Sequence, residues 1–233
     1  MDVVTEPLKF VESLQDEDLD ILNSEYKTLL PLERIQRFYK DFSQQKILLS
    51  SSFGTTSALL LKLISEVNPQ QEIIFIDTGF LFPETLTYRD YVSDLYQLKV
   101  KNIRPEEKKI EFIERNRLWE NNPELYTYLN KIEPFDNVKK SYDIWISGVM
   151  SWQTSHRSEM QLFEKKDDIL KFHPFIDITE QEKDAYFTAL HLPYHPLQSR
   201  GYDSVGCVHS TVPGKGRTGR TDLNEKKECG LHL

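Results

Sequence analysis

The sequence predicts an α/β fold, a mostly parallel twisted sheet flanked by helices, and three observations carry that reading. Short apolar runs at Lys46–Ser50, Glu72–Ile76 and Ile144–Gly148 each lead into a turn bearing serine or glycine. Segments with apolar residues at three- and four-residue steps lie between them, as helices require. The Glu72–Ile76 run is continuous and β-branched rather than alternating, the mark of a strand buried on both faces. Strand, turn and helix in alternation make parallel strands joined by crossover helices. Ligands of such sheets bind beyond the carboxyl ends of the strands, so the turns after Leu49 and Ile76 are the first places to look.

Residues 1–45 read as an amphipathic helical segment, with Leu19, Ile21, Leu22, Leu29, Leu30, Ile35, Phe38 and Tyr39 on its apolar face. It is expected to cover part of the sheet or a partner subunit. A strand at Lys46–Ser50 precedes a helix at Ala58–Val67, which Asn68-Pro69 stops. After Glu72–Ile76, Phe82-Pro83-Glu84 opens a helix to about Tyr96, and Leu98–Ile103 is the next strand. The charged and aromatic stretch 105–140 reads as helical, interrupted at Pro123 and Pro134. Later elements are a strand ending in a turn at Ile144–Gly148, a strand at Lys171–Ile176 and a helix at Glu180–His191. Past Pro193 no regular period persists, and glycines, prolines and basic residues from Gly201 to Arg220 form a loop region. The expected organisation is a helical segment 1–45, an α/β ligand-binding body 46–200, and a basic loop with a flexible tail 201–233, within one structural domain.

At 233 residues with 39% hydrophobic and 28% charged content, the chain is an ordinary globular composition with ample core. A net charge of -8 argues against nucleic acid or an anionic membrane as partner, while an anionic small ligand requires positive residues concentrated locally. No apolar run reaches membrane-span length, and the acidic start lacks the pattern of a signal peptide. Two cysteines make no disulfide framework, so a cytoplasmic location is expected.

Two stretches carry chemistry. Ser50-Ser51-Ser52-Phe53-Gly54-Thr55-Thr56-Ser57 joins a buried strand to a helix. Its glycine allows close backbone approach, and its hydroxyls with helix-start amides offer donors to an anion. The alternative is plain helix capping; it is not a lysine-bearing P-loop. The second is the tail Glu228-Cys229-Gly230-Leu231-His232-Leu233. Nearby lysines and a histidine lower a thiol's pKa, and thiolate is the attacking form. A glycine-hinged tail can bring Cys229 onto a substrate held elsewhere; the alternative is an exposed, inert thiol.

These stretches resemble the adenylyl-sulfate and phosphoadenylyl-sulfate reductases. Ser52-x-Gly54-x-x-Ser57 is similar to that family's modified PP-loop, and Asp77-Thr78-Gly79-x-x-Phe82-Pro83-Glu84-Thr85 to its second signature. Lys131-x-Glu133-Pro134, Tyr194-His195-Pro196-Leu197, Gly201-Tyr202-x-Ser204-Val205-Gly206, Arg217-x-Gly219-Arg220 and the Cys229 tail follow in the family's order. The resemblance implies an adenine-nucleotide α-hydrolase-like (Rossmann-like) sheet, usually in a homodimer. It implies that Cys229 attacks the sulfur of a sulfonucleotide, that an S-sulfocysteine forms, and that thioredoxin or glutaredoxin then releases sulfite. Substrate contacts are expected from Ser50, Ser51, Ser52, Gly54, Ser57, Asp77, Thr78, Gly79, Lys131, Gln153, Arg157, Arg217, Arg220 and His232, with Lys215 a further basic candidate.

The chain departs from the family in two places. Iron–sulfur members carry four cysteines around the 131 and 207 regions; here Tyr128-Leu129-Asn130 precedes Lys131, and Ser210 stands where a cysteine would follow Cys207. No bound cofactor and no iron–sulfur cluster are therefore expected, which favours the 3′-phosphorylated nucleotide. Met150 and Ser151 replace the usual arginine pair within Gly148–Arg157, which leaves open an adenylyl-sulfate preference or a non-catalytic nucleotide-binding regulator. An ATP-cleaving enzyme of the same fold is a further alternative, though such loops typically carry aspartate where this chain has Thr56. Cys207 reads as a half-buried inert thiol, with a resolving role for Cys229 or a zinc set of Cys207, His209, Cys229 and His232 as alternatives. His195 is expected to be a structural hydrogen-bonder.

Overall fold

The computed structural model describes residues 10–166, 168–220, 228, 230 and 231. Cys229, His232, Lys226 and Lys227 lie outside the described residues.

Three helices precede the sheet: α1 (Phe10–Ser13), α2 (Asp16–Lys27) and α3 (Pro31–Asp41). Proline opens α3, where its missing N–H costs nothing. Then come β1 (Ile47–Ser50), α4 (Ser57–Val67), β2 (Glu72–Ile76), α5 (Pro83–Tyr96) and β3 (Lys99–Ile103). The charged stretch that follows folds into α6 (Glu107–Asn116), α7 (Leu118–Asn121), α8 (Pro123–Thr127), a π-helical turn at Tyr128–Ile132, and α9 (Glu133–Lys139). Both prolines of that stretch start helices rather than merely breaking them. The remaining elements are β4 (Ile144–Ile146), β5 (Phe163–Lys166), β6 (Ile169–Phe172) and α10 (Glu180–Ala189). A capping box holds the start of α10: Thr179 Oγ1 accepts from the Glu182 amide at 3.1 Å, and the Glu182 carboxylate accepts from the Thr179 amide at 2.7 Å.

The described strands form one six-stranded sheet in the order β3-β2-β1-β4-β6-β5, parallel except for β5. Leu49 pairs with Ile73 on one side and with Ile146 on the other, so β1 is central. The chain moves outward from β1 to β3 and then returns to place β4 on the opposite side of β1. That reversal opens a crevice at the carboxyl ends of β1 and β4.

Two expectations need correction. The strand foreseen at Lys171–Ile176 runs instead from Ile169 to Phe172, and residues 173–176 form a turn closed by the Ile176 amide donating to the His173 carbonyl at 3.0 Å. Pro174, without an N–H, cannot extend the ladder. The antiparallel strand β5 was not foreseen. Three of its four residues are Glu164, Lys165 and Lys166, and charged side chains are how an edge strand avoids further pairing.

The main core joins the N-terminal helices to the sheet. Tyr26, Ile35, Phe38 and Phe42 pack with Leu49, Leu59, Phe163 and Phe172 in one buried cluster. Phe38 stacks on Phe172 at 4.4 Å between ring centroids, 6° from parallel. Arg34, buried in α3, grips Asp177 through both guanidinium branches at 2.5 and 2.7 Å and also donates to the Pro174 carbonyl at 3.0 Å. On the other face, Leu48, Ile74, Phe135, Trp145 and Ile169 form a smaller cluster under α9. Among the described residues no helix is long and apolar enough to cross a membrane.

Candidate active site

The crevice between β1 and β4 opens into a cavity of about 730 Å³. Its floor is the serine-rich loop after β1. The Ser51 amide donates to the Ile74 carbonyl at 3.1 Å, and Ser51 Oγ then accepts from the Phe53 amide at 3.1 Å. Phe53 is fully buried against Phe75, edge to face at 5.5 Å, and takes a positive φ of 48°. A non-glycine residue held in that region marks a loop whose shape its surroundings impose. The Ser57 amide and hydroxyl both donate to the Gly54 carbonyl, at 3.1 and 2.7 Å. Thr56 makes no side-chain cap, so the capping account of this loop does not hold at its N-cap position. The loop and the start of α4 line the cavity together, and hydroxyls beside a helix N-terminus suit an anion.

Ser50, Ser51, Ser52, Gly54 and Ser57 all line this cavity, as do Thr55 and Thr56. After β2, Thr78 and Leu81 reach it. Asp77 and Gly79, expected as contacts, shape that turn instead. The Asp77 carboxylate accepts from the Gly79 amide at 3.0 Å, and Gly79 has a φ of 81°. Lys131 enters from the π-helical turn, a local widening found often at functional sites.

Ser147, Gly148 and Val149 extend the wall beyond β4, and Trp152, Gln153 and Arg157 follow from the next turns. Met150 turns away into the main core with 1% exposure, and Ser151 is not on the cavity wall. The basic loop closes the far side through Asp203, Ser204, Gly206, Lys215, Arg217 and Arg220. It is more ordered than its aperiodic sequence suggests: the Val212 amide donates to the Gly219 carbonyl at 2.9 Å, and the Gly216 amide to the Asp203 carboxylate at 2.9 Å. The Arg220 guanidinium lies over Gly206, where a Cβ would meet its Nη2 at 2.4 Å.

The cavity concentrates the positive charge that the acidic chain as a whole lacks. Lys131, Arg157, Lys183, Lys215, Arg217 and Arg220 line it, against Glu180, Asp184 and Asp203. Sequence reasoning missed Glu180, Lys183 and Asp184, because no local pattern says which face of α10 turns toward the cavity. Trp152, in the turn after β4, was also passed over; Lys183 Nζ sits 5.8 Å from its ring.

Arg157 has a specific partner. Its Nε and Nη2 donate to the Glu228 carboxylate at 2.6 and 2.8 Å, its Nη1 donates to Gln153, and Thr154 Oγ1 donates to Glu228 at 2.9 Å. Burial raises the Glu228 carboxyl, but Arg157, Arg217 and Thr154 outweigh it and hold the group below the usual carboxylate range. Leu231 packs on the Phe135–Trp145 cluster and also lines the cavity.

Cys207 is fully buried rather than half-buried, with its Sγ 3.3 Å from Thr78 Oγ1. His209 stacks on Trp119 at 3.9 Å and 7°. Among the described residues no three His, Cys, Asp or Glu side chains gather as a metal set. His195 is a structural hydrogen-bonder: Nδ1 accepts from the Leu197 amide at 3.2 Å, and Nε2 faces Thr85 Oγ1 at 3.2 Å.

A family model described as the phosphoadenosine phosphosulfate reductase domain matches residues 46–213. A phosphoadenosine 5′-phosphosulfate reductase of Thiocapsa roseopersicina is 36% identical over 212 residues, covering 87% of this chain and 89% of its own length. The enzyme of the same name from Xanthomonas axonopodis pv. citri is 33% identical over 235 residues, 97% of each chain. Among solved structures, phosphoadenylyl-sulfate (PAPS) reductase from Candida auris in a phosphate complex superposes with a TM-score of 0.74 at 30% identity, over 86% of this chain and 98% of its own. Candida glabrata FMN adenylyltransferase shares the fold alone, with a TM-score of 0.57 at 14% identity over 88% of this chain and 68% of its own.

Proposed function

The chain belongs to the phosphoadenosine phosphosulfate reductase family, and on that premise we propose that it reduces 3′-phosphoadenylyl sulfate to sulfite and adenosine 3′,5′-bisphosphate in sulfate assimilation. It is an oxidoreductase acting on a sulfur group. The observation that carries the site assignment is the cavity at the β1–β4 crevice, which combines an anion-suited loop with a ring of basic side chains. Serine-loop amides hold one anionic group of the nucleotide, and Lys131, Lys215, Arg217 and Arg220 neutralise the others. With Met150 in the core, Lys183 on α10 supplies positive charge on the wall nearest Trp152.

Cys229 is the nucleophile. Its thiolate attacks the sulfonucleotide sulfur, a sulfur–sulfur bond forms, and the sulfur–oxygen bond to phosphate breaks, the electron pair leaving with the nucleotide. A dithiol protein, thioredoxin or glutaredoxin, then attacks the Cys229 sulfur and expels sulfite. Its second thiol resolves the mixed disulfide, so the two electrons come from that partner. Near Cys229 in the chain, Leu231 lines the cavity and Glu228 pairs with Arg157 of its wall, which supports this role. A chain with two cysteines cannot supply four thiolates to a cluster, so the reaction runs without one. Reliance on a reduced thiol supports a cytoplasmic location, and a homodimer is the assembly we infer.

Intact mass of the reduced protein after exposure to each sulfonucleotide, without reductant, tests this reading. A single sulfonate adduct is expected with the 3′-phosphorylated nucleotide, and none on Cys229→Ser. Nucleotide binding without any adduct would overturn it.

A further inference from the structure

Glu228 is a buried acid paired with Arg157, a residue of the cavity wall. Its side chain is 0% exposed and that of Arg157 7%, and the two meet edge to edge across 71 positions of sequence. Both carboxylate oxygens are occupied. Oε1 accepts from Arg157 Nε at 2.6 Å and Thr154 Oγ1 at 2.9 Å; Oε2 accepts from Arg157 Nη2 at 2.8 Å, with Arg217 Nη2 3.9 Å away. Thr154 Oγ1 also accepts from the Arg157 amide at 3.1 Å, which ties the turn carrying the arginine to the same carboxylate.

This geometry changes what Arg157 can do. A guanidinium binds phosphate or sulfate best through its Nε/Nη2 or Nη1/Nη2 edge. Here Glu228 fills the first edge, and Gln153 accepts from Nη1 on the second. An ion pair this deeply buried contributes little net stability over an apolar substitute, and its best-attested use is to set register. What it registers is the chain on one side of position 229. On the other side, Gly230 sits at a φ of 86° against Ile132, with a Cβ there only 2.6 Å from Ile132 Cδ1, and Leu231 packs on the Phe135–Trp145 cluster.

We propose that Arg157 and Glu228 are positioning residues rather than substrate ligands: their buried pair fixes Glu228, the residue preceding Cys229 in the chain, to the cavity wall through Arg157. The proposal rests on Cys229 being the nucleophile. Glu228 acts through its chain neighbour, because a nucleophile displaced by about 1 Å loses on the order of 100-fold in rate.

The test uses Glu228→Gln, which keeps shape and removes charge, beside Thr154→Val, Arg157→Lys and Cys229→Ser. Three quantities are read: the single-turnover rate of sulfonate transfer, the Kd of adenosine 3′,5′-bisphosphate, and backbone hydrogen exchange over 228–231. Glu228→Gln is expected to slow transfer about 100-fold with nucleotide Kd within twofold of the parent, and to speed exchange over 228–231. Thr154→Val is expected to slow transfer by about tenfold and to speed exchange over 228–231, with Kd unchanged, since the Thr154 hydroxyl's bond to Glu228 is lost. A tenfold weaker Kd in Arg157→Lys with normal transfer in Glu228→Gln would overturn the proposal and restore Arg157 as a nucleotide ligand. Unchanged exchange in Glu228→Gln would overturn the anchor, and faster exchange with normal transfer would overturn its positioning role. Full turnover by Cys229→Ser would instead sink the nucleophile assignment, leaving the exchange result to judge the anchor alone.

Discussion

The hydroxyl of Thr55 donates to the backbone carbonyl of Asp203 at 2.7 Å, joining the anion-suited loop after β1 to the basic loop 148 positions later. The bond is buried at the threonine, 6% exposed, and it couples the floor of the cavity to its far wall. Thr55→Val keeps the shape and leaves the Asp203 carbonyl unpaired. A loss of about 1–2 kcal/mol in urea denaturation is expected, with weaker nucleotide binding by calorimetry. Full stability and unchanged affinity would show that the two loops hold their positions independently.

Gly206 owes its identity to Arg220. A Cβ there would lie 2.4 Å from Arg220 Nη2, and the cheap response is for that flexible side chain to move. Arg220 would then lose its hydrogen bond to the Val205 carbonyl, now 3.2 Å. Gly206→Ala is expected to fold normally but to bind adenosine 3′,5′-bisphosphate about tenfold more weakly, the worth of one charge-assisted contact. Thermal melting beside calorimetry separates the two effects.

Stability should fall as the medium is acidified from pH 6.5 toward 4. Burial pushes the pKa of His195 down from 6.5 to about 4, so the unfolded chain takes up a proton in that window while the folded one refuses it. Above pH 6.5 both states are neutral at this residue and the effect vanishes. At pH 5 the penalty is about 1–2 kcal/mol. His173, also buried and held low by desolvation, works in the same direction. His195→Asn, whose side-chain oxygen can accept from the Leu197 amide as Nδ1 does, should shrink the difference in urea midpoint between pH 7.5 and pH 5. An undiminished difference would remove His195 as its source.

The N-terminal helices are held by large side chains. Phe38→Ala would remove the ring stacked on Phe172 and cost about 3–5 kcal/mol, read from denaturant midpoints. A cost below 1 kcal/mol would mean that α3 is only loosely attached to the sheet.

Much of the architecture was legible because it is written locally. Glu72–Ile76 is apolar beyond its first residue and became the strand β2 with those bounds. Pro83 opened α5, and Pro123 and Pro134 stand in the first turns of the helices they start. The end of β6 was misread because apolar residues continue through Ile176, whereas the ladder stops where Pro174 lacks a donor. The strand β5 was invisible because three of its four residues are charged, and what makes them a strand is the partner β6.

The same division runs through the site. By itself the sequence determined the parallel α/β class, the serine-rich loop, the family and the order of its motifs, since each of these is carried by contiguous residues. Only the tertiary structure decided that Arg157 is taken by Glu228, that Asp77 and Gly79 shape a turn off the cavity wall, that Met150 lies in the core, and that Lys183 reaches the cavity from α10. Those facts depend on which distant segments meet and which way each side chain then faces. Burial and pairing are properties of the whole packed chain, and a local pattern does not contain them.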